Sequence, residues 1–176
     1  MFKINKASIV LLILLILAIV YIGIQAQSQP KTGFVIITEL YNGFEMKKEM
    51  EQKYLGVKNA RDKILDSLTL ELKDISQKIE TEQEKNPNTI KEFTTKRTDY
   101  LQRKQAYEAD NTALSQKYDQ EILTQMNQYV KDYGAANGYT YVFGNDGNGS
   151  LMYAKDANNI TKQVIEYINS KYKGIK

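Results

Sequence analysis

A row of apolar side chains spaced seven residues apart, Phe93, Tyr100, Tyr107 and Leu114, constrains this chain more than any other feature. A sustained seven-residue repeat means two helices lying along each other with a slight supercoil. Tyr118, Ile122, Met126 and Tyr129 extend the row. Upstream, Met50, Tyr54, Val57, Ile64, Leu68, Leu72, Ile75 and Ile79 recur mostly at steps of three and four, with one seven-residue gap spanning Arg61, the spacing of one helical stripe. Between the two runs stands Asn86-Pro87-Asn88. Pro87 cannot sit in a helix interior, and Asn88 suits the cap of the next helix. Residues 44–137 therefore read as a helical hairpin turning at 86–88, each arm roughly 60 Å long. Arg97, Lys104 and Asn111 fall between the aromatic positions, where a tight coiled coil places Leu or Ile. A seam that is half polar predicts arms that bend and splay, although the same residues equally suit the solvated flanks of a narrow apolar stripe.

The chain has 176 residues, enough for one domain, and 26% are charged with both signs mixed. Of the formal net charge of +3, Lys3 and Lys6 of the amino-terminal leader account for two. A remainder that near neutrality argues against nucleic-acid binding, which needs a concentrated basic face. Lys85, Lys91, Lys96 and Arg97 gather near the turn, but Glu80, Glu82 and Glu84 offset them. Cys and His are both absent. That removes a thiol nucleophile, disulfides and a lipid-modified amino-terminal Cys, together with the usual general base near neutral pH and the commonest metal ligand. The carboxylate pairs Asp62 with Asp66 and Glu80 with Glu84 read as solvated helix faces. The glycine-rich segment 144–149 lacks a following Lys-Ser/Thr and reads as a turn rather than a phosphate loop. Asp146 alone is too little acid for a calcium loop. No catalytic residue, metal or cofactor is expected, and the chain is not read as an enzyme.

Lys3 and Lys6 precede an apolar run over 7–24, roughly 27 Å long as a helix. Residues 1–26 read either as a signal peptide cleaved after Ala26 or as a retained membrane anchor. Both readings send the rest of the chain out of the cytoplasm. A polar linker follows over 27–32. Residues 33–43 and 138–176 read as a β body. Its first strand is Phe34-Val35-Ile36-Ile37-Thr38, preceded by Gly33, a second strand covers 139–143 and a third covers 150–154, the last two forming a β-hairpin across the glycine-rich turn. Gly138 is placed to supply the left-handed residue ending the second arm. The closing helix spans 160–172, with Asn159 as its N-cap and Ile160, Val164, Ile168 and Tyr172 on one face. Three short strands and one helix bury little and leave open edges. Several copies closing their strands into one barrel solve this, with Phe34, Ile36, Tyr139, Tyr141, Phe143, Leu151 and Tyr153 as candidate residues of that oligomeric body. The fold class expected is α+β, a long antiparallel helical hairpin on a small β body that forms an oligomeric barrel.

The order of these elements resembles the Skp/OmpH family of periplasmic chaperones for outer-membrane proteins. The residues that carry the resemblance are Gly33-Phe34-Val35-Ile36-Ile37-Thr38 leading into Tyr41-Asn42-Gly43-Phe44, then Asn137-Gly138-Tyr139, Leu151-Met152-Tyr153-Ala154 and Asn159-Ile160-Thr161-Lys162-Gln163-Val164-Ile165. Asn159 stands where the family usually has Asp, which keeps the capping oxygen and loses the charge. The resemblance implies a homotrimer whose arms enclose a cavity and hold unfolded outer-membrane proteins in the periplasm without ATP. The aromatic row Phe93, Tyr100, Tyr107 and Tyr118 is the candidate client-contacting surface, with filling of the arm seam as the alternative role of the same rings. From another class, the alternative function is a membrane-anchored structural coiled-coil adaptor of the cell envelope engaging one dedicated partner. If the leader stays attached, the chain is tethered to the inner membrane by residues 7–24; if it is cleaved, the protein is soluble in the periplasm.

Overall fold

The computed structural model describes residues 6–27, 30–81 and 86–174, with side chains described for 11–22 within the first helix. The element order is α1 (Lys6–Gln27), β1 (Thr32–Ile36), α2 (Ile37–Gly43), α3 (Glu45–Thr81), α4 (Pro87–Ala136), β2 (Tyr141–Asn145), a single 3₁₀ turn (Asp156–Asn158) and α5 (Thr161–Gly174). The architecture is α+β, dominated by the α3–α4 hairpin.

Of the arm tip, Glu82, Glu84 and Lys85 lie outside the described residues, as do Lys3 of the leader and part of the linker. On the far side of the turn, α4 opens with Pro87 as its first residue. Its cap is Asn86 rather than the expected Asn88: the Asn86 side chain accepts the Asn88 N–H at 2.9 Å. At the other end, Gly138 takes φ +69°. The Tyr139 N–H then bonds the Gly134 carbonyl at 2.9 Å and the Gly138 N–H bonds that of Ala135 at 3.3 Å. This paired closure satisfies two orphan carbonyls and turns the chain toward β2.

The sheet has two strands, and they run parallel, Phe34 opposite Phe143. Parallel neighbours need a long crossover, and here the crossover is the whole arm. This corrects the expected β-hairpin: residues 150–154 form no strand, and β2 pairs with β1 instead. The second edge of β1 is already taken, since Ile160 donates its N–H to the Phe34 carbonyl at 2.9 Å and Asn159 bridges Phe34. The segment after β2 is tightened instead by Asp146, whose carboxylate accepts the Asn148 N–H at 2.9 Å and holds the carboxyl below its usual range. The outer edge of β2 stays unpaired among the described residues, and 150–154 runs past it as irregular chain.

Strand β1 also ends two residues early. The Ile36 N–H donates to Thr161 Oγ1 at 2.9 Å, and Ile37 opens α2. Asn159 Oδ1 accepts both the Thr161 N–H, at 3.0 Å, and its hydroxyl, at 2.6 Å. So Asn159 serves the start of α5 as expected, and the fully buried Thr161 joins that cap to the sheet. The core lies where the two ends of the arm meet the body. Val35, Leu40, Phe44, Ile122, Met126, Tyr129, Ile160, Val164 and Ile168 form one buried cluster. Phe44 is completely enclosed, edge-on to Tyr129 and Tyr172 with ring centroids 6.1 and 5.6 Å away.

Candidate functional site

Two surfaces stand out: the seam between the arms and the outward face of the body. On α3 the inward rows are Tyr54, Arg61, Leu68 and Ile75, and Lys58, Leu65, Leu72 and Ile79, each repeating at seven; all are half-buried except Ile75, which is buried. The seam therefore passes through Arg61 and Lys58, while Val57 and Ile64, expected inside, are exposed. Long cationic stems bury methylene groups while their heads reach polar partners. Arg61 spans the seam to the Asn111 side-chain amide oxygen and the Asp110 carboxylate, and its guanidinium sits 5.5 Å over the Tyr107 ring. Further out, Lys96 pairs with Glu71 across the arms. The second row of α4 runs through Lys96 and Asn111, whereas Arg97 and Lys104 face solvent.

The four candidate rings Phe93, Tyr100, Tyr107 and Tyr118 are all half-buried along this seam. Tyr107 lies under Arg61. Tyr118 lines a cleft of about 190 Å³ at the arm root with Tyr41, Met50, Tyr54 and Asp119. There Tyr41 donates to Asp119 at 2.6 Å, and burial followed by that bond pushes its hydroxyl up to about 12. Sequence spacing passed over Leu55, Leu70 and Leu101 and put Ile64 inside; the arms leave all four in water, Leu70 to 68%. Their signal was present as apolar residues off the seven-residue rows. Beside Ile64 and Leu68, a gap of about 390 Å³ reaches Arg103, where residues 101–106 of α4 are exposed throughout.

On the body, Phe34 is buried and Ile36 and Leu151 are half-buried. Tyr139 precedes β2 and stacks on Tyr133, with the Lys31 ammonium 4.1 Å above it. Tyr141 and Phe143 stack on each other along β2 and are about half exposed. Met152 at 88% and Tyr153 at 80% are almost fully bare and adjoin one another. Among the described residues no group of Asp or Glu is placed to hold a metal ion. Among the described residues, too, no helix is long and apolar enough to cross a membrane; the side chains described for α1 are those of 11–22, all exposed.

A family model described as outer membrane protein (OmpH-like) matches residues 31–168. The fold is similar to the crystal structure of a candidate OmpH-like outer membrane chaperone from Caulobacter crescentus CB15, with a TM-score of 0.69 and 12% identity over 82% of this chain and 86% of that one. No curated protein matches.

Proposed function

The chain belongs to the OmpH-like outer membrane protein family, and from that premise we propose that it is an ATP-independent holdase for unfolded outer-membrane proteins. Three copies join through the outward face of β2 and the bare 150–154 segment, an open edge that invites strand pairing. Their arms then surround a shared cavity. The observation that carries the reading is an arm with apolar side chains in water and a polar clasp in its seam. Such a surface offers weak, non-directional burial to an unfolded chain without selecting a sequence. Leu55, Ile64 and Leu101 supply standing contacts, and Phe93, Tyr100, Tyr107 and Tyr118 become available as the seam opens. Release needs no nucleotide, because a client that folds or inserts leaves by mass action. Residues 7–24 deliver the chain to the periplasm, as a cleaved signal or as an inner-membrane tether.

The test is light scattering of an unfolded outer-membrane β-barrel protein diluted from urea. Suppression that saturates near one client per oligomer is expected. Aggregation unchanged at excess oligomer overturns the proposal.

A further inference from the structure

The arm does not leave the body as one helix. The chain breaks at Phe44, whose ψ of 124° lies outside the helical range, so α2 and α3 are separate. A break of this kind orphans backbone groups on both sides. The Lys47 N–H, which in a continuous helix would bond Gly43, turns to Phe44 at 3.1 Å instead. One side chain takes a group on each side of the break. Asn169 of α5 donates its amide N–H to the Gly43 carbonyl at 2.9 Å and accepts the Glu45 N–H on its oxygen, also at 2.9 Å. A carboxamide is suited to this because it carries a donor and an acceptor side by side.

The rest of the same α5 face holds the first turns of α3. Tyr172 donates to Glu49 at 2.9 Å, and Lys173 pairs with Glu45 at 2.9 Å. Residues 165, 169, 172 and 173 share one side of the helix. Contact is so close that a Cβ on Gly43 would stand 2.9 Å from Ile165 Cδ1.

We infer that Asn169 is the positioning residue of the arm: it splices the broken backbone at Phe44 and so fixes the angle at which α3 leaves the body. Leverage makes a small root change large. From Glu45 to Thr81 the arm runs about 55 Å, so a swing of about 10° carries its tip about 10 Å. The consequence for cavity width rests on the holdase reading; the angle itself does not.

The cysteine-free chain permits clean labelling. Spin labels at Thr81→Cys and Thr140→Cys, in full-length chain diluted into excess unlabelled chain, report the tip-to-body distance by pulsed EPR. Asn169→Leu should broaden that distribution, because the arm then leaves the body at more than one angle. Asn169→Asp keeps the acceptor and loses the donor, and should fall between. Gly43→Ala, which wedges α5 away with the amide intact, should resemble Asn169→Leu. Distributions for Asn169→Leu and Gly43→Ala that both match the parent overturn the inference. Should Asn169→Leu fail to fold, hydrogen exchange on the parent chain decides: the Glu45 amide should exchange slowly, and exchange at the rate of a free amide overturns it. An arm that swings while aggregation suppression stays unchanged leaves the positioning role intact and removes the link to cavity width.

Discussion

Replacing Arg61 and Asn111 together by leucine converts the polar clasp of the arms into an apolar pair at seam positions. Asp110 is 62% exposed, so its ion pair with Arg61 contributes between about 0 and 1 kcal/mol. The Arg61–Asn111 hydrogen bond adds about 1 kcal/mol net, and the contact with Tyr107 about 0.5–1 kcal/mol. Against these losses stand two leucines. Full burial is worth about 1.5–3 kcal/mol each, and the 21% exposure of the Arg61 side chain sets a partial return of about 1–2 kcal/mol each. The double variant should therefore unfold at least as late as the parent, more stable by about 1 kcal/mol, while each single variant is less stable because it leaves a polar group facing an apolar one. Urea denaturation followed by helical circular dichroism measures the cycle. The functional half of the prediction has the opposite sign: a better-zipped arm should suppress aggregation less, because the seam rings no longer become free. A double variant less stable than the parent by about 1 kcal/mol or more would mean that the clasp braces the arm. Unchanged suppression with raised stability would refute the link between a loose seam and client capture.

Three further outcomes follow from the body. Phe44→Ala empties a fully enclosed site between Tyr129 and Tyr172 and should cost about 3–5 kcal/mol in urea unfolding; a loss under about 1 kcal/mol would contradict the packing described. Tyr129→Phe removes a buried hydroxyl without a hydrogen-bond partner among the described residues and should leave stability equal or higher by about 1 kcal/mol, whereas a clear loss would reveal a partner for it. Burial, aided by Asp119 at Tyr41 and by Glu49 at Tyr172, raises both hydroxyls from 10.0 to about 12. A folded pKa above the unfolded one contributes stability that is full below pH 10 and is lost as pH rises through 12. Urea midpoints should thus fall across that interval, and less steeply in the Tyr41→Phe, Tyr172→Phe double variant.

The hairpin could be read from local chemistry because its signals are local: Pro87 to start a helix, Gly138 to end one, rings at sevens between them. The course of the α3 seam was harder to read. Arg61 and Lys58 count as polar by composition, yet their stems occupy seam positions, so the apparent stripe drifted onto Val57 and Ile64. The break at Phe44 carried a weak local sign in Asn42-Gly43, residues that commonly end helices. Its stabilising partner Asn169 lies 124 residues beyond Glu45, a separation no periodicity reveals. The strand composition of 150–154 says that the segment suits a sheet, not which edge receives it. Within one chain β1 has no edge left for it, and the outer edge of β2 is left unpaired among the described residues.

Because the arm is the crossover between β1 and β2, its length is free within one condition: both helices must change by the same number of heptads, so the seam stays in phase. Removing 68–81 from α3 and 89–102 from α4 takes two heptads from each and retains Asn86, Pro87 and Asn88 at the new turn. Every core contact of the body lies outside the deleted segments, as do Asn169 and its partners. The shortened chain should keep the parent's oligomeric state and the near-ultraviolet signal of its body tyrosines, losing only what Tyr100 contributes, and protect smaller clients only. Removing three residues from α4 alone rotates its later rows by roughly 300° around the helix, turning Tyr118 and Ile122 relative to the partners they meet in α3. That chain should lose the body as well as the arm, because the two strands meet only when the hairpin closes in register. If the three-residue deletion left the body folded, the β1–β2 pair would be assembling independently of the arm, and coupling between arm and body would be disproved.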